Sequence, residues 1–338
     1  MSLLVANPHT SNRPRARRAR LPLICLLLAI FCCAHTLYAQ TPQPSPTPQI
    51  TDAQAQLYER WRSNIKLNQR AAYEAGKEYL AQYPNNEYAV YVRQWIDLYE
   101  RTVRKARFQQ LLYKDKKYGD AYTLGRQVLA DEPDSVKTVV DLASAAYLAT
   151  GAGDDSVRTD ALALARQGLG LLETGARVAD WQPFAGPADV NGYLNFVIGD
   201  LILKDTPADA IAYLRKAALS EGAIRHAPNV YTRLAAAYAK SEYEPLARDF
   251  ATRYGGKEAT PESQAALAKI FPVLDRMIDA YARAIALSQS DPQYNGPRTR
   301  WLQELTELYR TRHSGATDGL NELLTSVINT PLPEPATP

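Results

Sequence analysis

The sequence is poor in the residues that most often carry metal or nucleophilic chemistry, with three cysteines and four histidines in 338 residues. Cys25, Cys32 and Cys33 all lie in one apolar run near the start of the chain. A chain cleaved after this run keeps no cysteine, which excludes disulfides, thiolate metal sites and cysteine nucleophiles. Phosphate-binding glycine loops, Gly-x-Ser-x-Gly elbows and His-Glu-x-x-His helices are also absent from the sequence. We therefore predict no enzymatic activity, no metal and no cofactor.

The remaining histidines and acidic pairs do not indicate a site either. His226 and His313 are far apart in the sequence and have no acid at metal-ligand spacing, so we predict that both are surface residues. The pairs Asp131-Glu132 and Asp154-Asp155 lack the alternating oxygen ligands of a calcium loop. We predict that both pairs lie in solvated turns.

The first 39 residues have the organisation of an export signal. Five arginines between positions 13 and 20 precede an apolar run, residues 21–34, that is interrupted only by Pro22. The run is shorter than the roughly 20 residues that a membrane-spanning helix needs, and Ala39 provides a small residue for cleavage. We predict a signal at 1–39 and export to the periplasm or the exterior. Retention as a membrane anchor and lipidation of Cys32 or Cys33 stay open, so membrane contact is expected only through this segment.

Removal of this signal changes the sign of the net charge. The chain has 39 basic and 36 acidic residues, and without the five signal arginines 34 basic residues face 36 acidic ones, a formal net charge of −2. Nucleic-acid binding requires a concentrated positive surface. We therefore expect no nucleic-acid partner.

Proline-rich segments flank the body of the chain. Residues 40–50 contain Thr-Pro-Gln-Pro-Ser-Pro-Thr-Pro, a composition that favours extended polyproline II structure and serves as a spacer. Residues 331–338 carry four more prolines, which cannot continue a helix. We predict a linker at 40–50 and a disordered tail at 331–338.

The body repeats one passage. Residues 72–84, AYEAGKEYLAQYP, return at 121–133 as AYTLGRQVLADEP, with six of thirteen positions identical. A weaker third copy begins at Ala280-Tyr281 and has Ala284 in place of the glycine. Such repetition is typical of arrays in which each helical unit buries its apolar face against the next one.

The two repeated glycines, Gly76 and Gly125, are unfavourable in a helix by about 1 kcal/mol each relative to alanine. Their recurrence at the same step predicts that a neighbouring backbone approaches closely at both places. Substitution of both by leucine is expected to lower the melting temperature.

Helical periodicity continues from Thr51 to about Ile328, with no convincing alternation of a strand. A helix reaching Lys114 is predicted by a stripe of apolar residues, Tyr88, Tyr91, Trp95, Leu98 and Tyr99. Helix starts are predicted at Thr206-Pro207 and Thr260-Pro261. Helix ends are predicted at Pro84, Pro133, Gly255-Gly256 and Pro292.

One stretch of the body matches the spacing of a known family. Tyr231, Leu234-Ala235, Tyr238 and Ala247 resemble the aromatic, Leu-small, Tyr and Ala positions of a tetratricopeptide repeat. Weaker matches cover most of residues 51–330, but their anchoring alanines are spaced more widely than the 34-residue period of the family. These alanines are Ala72, Ala121, Ala161, Ala210 and Ala247. The resemblance implies an all-α fold over 51–330, a right-handed α-solenoid of antiparallel helix pairs with lengthened or additional helices.

The resemblance also implies a binding site, because the first helices of such repeats form a concave groove for peptides. The groove positions carried over are Lys137, Ser144, Tyr147, Tyr193, Phe196, Asp200, Lys204, Asn229, Thr232 and Lys240. This mixed set differs from the Lys, Asn and Arg residues with which some family members clamp a C-terminal carboxylate. We expect an extended or helical protein segment held by apolar contacts. The predicted function is an exported scaffold for protein–protein interaction.

Two other classes of function stay open at this point. A membrane-tethered factor for envelope assembly or maintenance requires that the signal is not cleaved or that a cysteine is lipidated. An enzyme or a small-ligand sensor on a helical scaffold requires a pocket in which ionisable groups converge.

Overall fold

Helices account for most of the chain from Asp52 onward in the computed structural model, which describes residues 51–175 and 178–335. The helices are α1 (Asp52–Leu67), α2 (Gln69–Gln82), α3 (Ala89–Gln109), α4 (Tyr118–Asp131), α5 (Val136–Gly151), α6 (Arg158–Glu173), α7 (Pro187–Ile202), α8 (Pro207–Ala218), α9 (Pro228–Tyr238), α10 (Glu244–Tyr254), α11 (Pro261–Ser288), α12 (Asn295–Arg312) and α13 (Leu320–Ser326). No strand occurs among the described residues. The predicted all-α class is confirmed. The predicted signal at 1–39 and linker at 40–50 lie outside the described residues.

Consecutive helices pack against one another along the chain. The closest pairs include α1 with α2, α5 with α6, and α7 with α8, whereas α9 packs mainly on α11. Helix α7 also touches α5 and α9. Packing of each helix on its neighbours in sequence is what a helical repeat predicts.

Helices α3 and α11, the two longest uninterrupted α-helices among the described residues, connect three hydrophobic clusters that follow one another along the chain. Ile96 of α3 lies in the first cluster, and Phe108 of the same helix lies in the central one. Likewise, Met277 of α11 lies in the central cluster and Ile285 in the last. Helix α3 lies between Ala72 and Ala121, so the helix lengthening expected from this wide interval is found in α3, whereas α11 follows Ala247 and lies outside the measured intervals.

The repeated glycines are close-packed, although against side chains. A Cβ atom on Gly125 would lie 2.7 Å from the Phe108 ring and 2.8 Å from Leu142 Cδ1, on α3 and α5. A Cβ atom on Gly76 would lie 3.0 Å from Trp61 of α1 and 3.1 Å from Ile96 of α3. The predicted close approach is confirmed, and its nature is corrected: large side chains of the preceding and following helices, rather than backbone, fill the space.

The best match to the repeat pattern does not form a helix pair. The pattern predicts a turn between Tyr238 and Ala247, but a π-helical segment, Ala239–Tyr243, joins α9 directly to α10. Pro245 follows this segment, and a proline removes one helical hydrogen bond and clashes with the carbonyl four residues earlier. The wider π turn accommodates that clash. One long helix therefore runs from residue 228 to residue 254.

The predicted stripe on α3 is only partly buried. Tyr91 and Leu98 keep 58% and 64% of their surfaces exposed, while Val92 and Ile96 are buried. The helix is apolar on two adjacent faces, and the face with the aliphatic residues packs against α1 and α2. The extent of the helix is confirmed, because a π-helical segment, Gln110–Lys114, continues α3 to Lys114.

Candidate protein-binding surfaces

The ten predicted groove residues lie on or directly after α5, α7 and α9 and differ in exposure. Lys204, Asn229 and Lys240 are exposed. Four residues are half-buried: Tyr147, Tyr193, Asp200 and Thr232. Lys137, Ser144 and Phe196 are buried. The prediction that these last three face a partner is corrected, since they belong to the interior.

Lys137 is buried because it forms an internal ion pair. Its Nζ atom lies 2.6 Å from Asp141 Oδ2, one helical turn away on α5. The Tyr113 hydroxyl, at the end of the α3 extension, donates to the same carboxylate. Burial raises the pKa of Asp141, opposed by the nearby Lys137 charge, and burial together with Asp141 raises the pKa of Tyr113 far above its usual value. The cluster holds α5 against the end of α3.

A second polar cluster connects α5, α7 and α9. The Tyr147 hydroxyl donates to Asp200 Oδ2 at 2.7 Å, and Arg233 Nε lies 2.6 Å from Asp200 Oδ1. The Tyr147 ring also meets Phe196 edge-on, with 6.1 Å between centroids. Burial, followed by the Asp200 charge, raises the pKa of Tyr147. The structure therefore brings Tyr147, Phe196 and Asp200 together, as contacts between helices.

The loop between α6 and α7 packs on the face where the groove was predicted. Phe184 of this loop lies 5.2 Å from Tyr193, centroid to centroid. Val178 and Gln182 line a cavity of about 340 Å³ together with Lys137. Burial raises the pKa of Tyr193 to about 12, against a lowering by the Ser144 hydroxyl. Because the loop occupies this surface, Tyr193 is covered by the chain itself.

Two clefts of nearly equal size occur beside the two strong copies of the repeated passage. The first cleft, of about 490 Å³, lies between α2, α3 and α4 and is lined by Arg70, Tyr73, Glu74, Tyr99, Glu100, Val103, Arg104, Arg107 and Leu124. The second cleft, of about 480 Å³, lies between α4, α5 and α6 and is lined by Tyr122, Arg126, Leu129, Ala130, Pro133, Leu142, Asp160, Ala163, Leu164 and Gln167. Tyr73 and Tyr122 occupy the same position of the repeated passage. This tyrosine is the one position of the repeated passage that lines both clefts, and we call the two the repeat-related clefts.

The repeated tyrosine has the same kind of partner in both clefts. The Tyr73 hydroxyl donates to Glu100 at 2.8 Å, and the Tyr122 hydroxyl donates to Asp160. Burial, helped by Asp160, raises the pKa of Tyr122 to about 12, and the hydrogen bond to Glu100 raises the pKa of Tyr73. The signal that distinguishes these two is the recurrence of Ala-Tyr at one step of the repeat.

The C-terminal segment, residues 330–335, lies against α8 and α11. The chain is extended at Thr330, and Leu332 packs on the central cluster. Arg283 of α11 donates to the carbonyls of Thr330 and Pro331 at 2.9 and 3.0 Å. Where the sequence predicts a disordered tail, the structure places residues 331–335 in contact with the helices. Residues 336–338 lie outside the described residues.

Other chemistry-bearing groups in the described part of the chain are dispersed. His226 and His313 are exposed. Residues 51–175 and 178–335 contain no group of three or more His, Cys, Asp or Glu side chains placed to hold a metal ion. Within the same ranges, no helix combines the length and the apolar character needed to cross a membrane.

Comparisons with family models, with curated proteins and with solved structures give no match to this chain. The assignment of a function therefore depends on the geometry of the surfaces described above. Among them, the two repeat-related clefts are open, and the predicted groove is partly closed by side chains and by the α6–α7 loop.

Proposed function

We propose that this chain is a tetratricopeptide-like scaffold, a right-handed α-solenoid of helix pairs that binds a segment of a partner protein. The observation that carries the proposal is the pair of open clefts beside the two strong copies of the repeated passage, each lined by the tyrosine of its copy. Their volumes lie within the range of ligand-binding pockets. Packing of consecutive helices on one another supports the solenoid arrangement.

The linings of the two clefts differ in a way that favours an asymmetric partner segment. Leu129, Ala163 and Leu164 give the second cleft apolar walls suited to an aliphatic or aromatic side chain. The first cleft is lined by exposed Arg70 and half-buried Tyr99, and of its two acids, Glu74 and Glu100, the second accepts the Tyr73 hydrogen bond. A segment that anchors an apolar side chain in the second cleft and an acidic residue near the first matches both linings.

We also propose that the scaffold acts outside the cytoplasm, in the periplasm or beyond the cell. This proposal is supported by the basic block and the apolar run of residues 13–34. Export places the clefts among envelope or secreted proteins, so the partner segment is expected to belong to one of these. The mass and N-terminal sequence of the exported chain, measured after fractionation, would distinguish a cleaved scaffold from a retained, membrane-tethered one.

Site-specific photo-crosslinking tests the clefts directly. A photoreactive amino acid replaces Val103 in the first cleft or Ala163 in the second, both exposed positions, and the cells are irradiated intact. We expect both positions to capture the same partner, because the two clefts share helix α4 and one segment would cross that helix to reach both. The same replacement at exposed Glu304 of α12 serves as the control and should capture nothing in common with them.

A blocking variant makes the experiment decisive. Ala163→Trp fills the second cleft and should lower capture at position 103, because binding through two linked contacts is weakened when one is removed. Different partners at the two positions, or undiminished capture after blocking, would contradict a single binding surface. Circular dichroism should show unchanged helicity for every variant that enters the comparison.

A further inference from the structure

The contact between the C-terminal segment and the array has the features of a peptide in a binding site. Two deeply buried arginines, Arg215 of α8 at 8% exposure and Arg283 of α11 at 6%, direct their guanidinium groups at the segment. Arg215 donates to the Pro333 carbonyl and lies 3.1 Å from Glu334 Oε2. Arginines so little exposed are uncommon unless their charge and donors are satisfied. The segment supplies much of that satisfaction.

In this contact the two arginines supply the hydrogen-bond donors and the segment supplies the acceptors. The segment reads Thr-Pro-Leu-Pro-Glu-Pro from 330 to 335, and its three prolines have no N–H group to donate. Guanidinium groups are donors only. Arg283 donates hydrogen bonds to the carbonyls of Thr330 and Pro331, and Arg215 donates one to the carbonyl of Pro333. The contact uses acceptors of the segment, and a backbone with proline at every second position offers more acceptors than donors.

The arginines are held in place by the helices, independently of the segment. Asp279, one turn before Arg283 on α11, binds its Nε atom at 2.7 Å. The Tyr238 hydroxyl lies 3.3 Å from Arg215 Nη1. Burial raises the pKa of Asp279, opposed by Arg283 and then by Arg215. Both guanidinium groups thus have partners on the helices besides the segment, and positioning of this kind lowers the entropic cost of binding.

The site is also larger than its present occupant. A cavity of about 260 Å³ stays open beside Pro331 and Leu332, several times the roughly 30 Å³ that a water molecule occupies in the liquid. Ala218, Leu287 and Tyr231 contribute apolar surface to it, and Arg225 and His226 lie at its edge. An occupant with a larger apolar side chain at the third position would fill this space.

We propose that the surface formed by Arg215, Arg283 and this cavity is a binding site for extended proline-rich segments of the form Thr-Pro-apolar-Pro-acid. Residues 330–335 occupy it within the same chain, and a segment of this class from a partner protein binds when they leave. Proline fixes the extended conformation in advance, so such segments bind with a small loss of conformational entropy. The site lies on α8 and α11, apart from the two repeat-related clefts, and does not depend on them.

The chain contains a natural comparison peptide. Residues 41–46 read Thr-Pro-Gln-Pro-Ser-Pro and share the threonine and all three prolines with residues 330–335. Gln43 and Ser45 replace the apolar and acidic residues of the pattern. Comparison of peptides with these two sequences separates recognition of the backbone, which both share, from the contributions of Leu332 and Glu334.

The test uses the full chain with the double substitution Leu332→Asp and Glu334→Arg, which weakens the hold of the internal segment. A fluorescein-labelled peptide, Thr-Pro-Leu-Pro-Glu-Pro with an amidated C terminus, is titrated with protein and followed by fluorescence anisotropy. We expect the double variant to bind the labelled peptide about tenfold or more tightly than the unsubstituted chain does. In the unsubstituted chain the tethered segment competes with the peptide at an effective concentration near the millimolar range. The peptide Thr-Pro-Gln-Pro-Ser-Pro should bind about tenfold more weakly, since it lacks the apolar contact and the charged hydrogen bond.

A single substitution provides a second test that does not depend on folding of the double variant. Glu334 has a side chain that is 87% exposed, so Glu334→Ala leaves the helices intact and should give a smaller gain in peptide affinity. Glu322→Ala, an exposed acid on α13, is the matched control and should give none. A folded double variant, or Glu334→Ala, that binds the peptide no better than the unsubstituted chain overturns the proposal. Equal affinity for the two peptides overturns the roles assigned to Leu332 and Glu334.

Discussion

At the scale of single residues, the repeated glycines show which part of a packing contact a sequence pattern can predict. Recurrence of Gly76 and Gly125 predicts a tight contact, and the structure contains one at each position. The identity of the neighbours was not predictable, because Trp61 and Phe108 come from helices whose rotation depends on the whole array. The same limit explains Lys137, whose burial depends on the hydroxyl and carboxylate that surround it.

Gly125→Ala should lower stability although alanine is the better helix former. The new methyl group would lie 2.7 Å from the buried Phe108 ring, and overpacking of this kind costs about 1–3 kcal/mol against a helix gain of about 1 kcal/mol. Chemical denaturation measures the difference. Gly170→Ala on α6 is the control: nothing lies within 4 Å of its Cβ position, so this variant should be at least as stable as the unsubstituted chain. Equal effects of the two substitutions would contradict close packing at Gly125.

At the scale of helices, boundaries were predicted better than interiors. Thr206-Pro207 and Thr260-Pro261 start α8 and α11 as predicted, and α2 ends two residues before Pro84. Pro245 and Pro272 carry the same signal for a helix end, yet both lie within helical segments. A proline only removes one hydrogen bond and crowds one carbonyl, and tertiary packing along a long helix offsets that cost.

The two predicted caps differ in their contacts, and this difference can be measured. Thr260 accepts a hydrogen bond from the Ser263 N–H, and the Ser263 hydroxyl accepts one from the Thr260 N–H. Thr206 makes no side-chain cap bond to α8. Thr260→Ala should therefore lower the free energy of unfolding by about 1 kcal/mol, and Thr206→Ala should lower it less. An unchanged free energy of unfolding for Thr260→Ala in the same denaturation experiment would show that the capping box does not stabilise α11.

At the scale of the whole molecule, the helical class and the neighbour-to-neighbour packing could be predicted from repetition and periodicity. The candidate binding surfaces could not be predicted from these two patterns. The α6–α7 loop covers Tyr193 through Phe184, and the C-terminal segment contacts Arg215 and Arg283 from more than 40 residues away in sequence. Contacts between distant segments leave no periodic trace in a single sequence.

Buried tyrosines should make the fold sensitive to alkaline pH. Burial raises the pKa of Tyr122 and Tyr193 to about 12, and that of Tyr113 and Tyr147 further, from an ordinary value of 10.0. The unfolded chain therefore loses tyrosine protons first, so their contribution to stability is complete below pH 10 and decreases above it. We expect the melting temperature, followed by circular dichroism from about pH 8 to about pH 12, to fall once the pH exceeds about 10.

Two variants identify the source of this pH dependence. Tyr147→Phe removes one of the protons and should make the alkaline fall shallower. Tyr91→Phe changes a ring that is 58% exposed and should leave the slope unaltered. A melting temperature that stays level across the alkaline range would contradict the raised pKa values of the buried tyrosines.

The return of residues 330–335 across α8 and α11 also determines how the chain carries a mechanical load. A force applied at Pro335 first meets the bonds that Arg215 makes to Pro333 and Glu334. The next bonds in line are those of Arg283 to Thr330 and Pro331. Tension therefore enters α8 and α11, which both contribute to the central hydrophobic cluster, before it reaches α13. Anything attached to this end would pull on the body of the molecule rather than peel off its last helix.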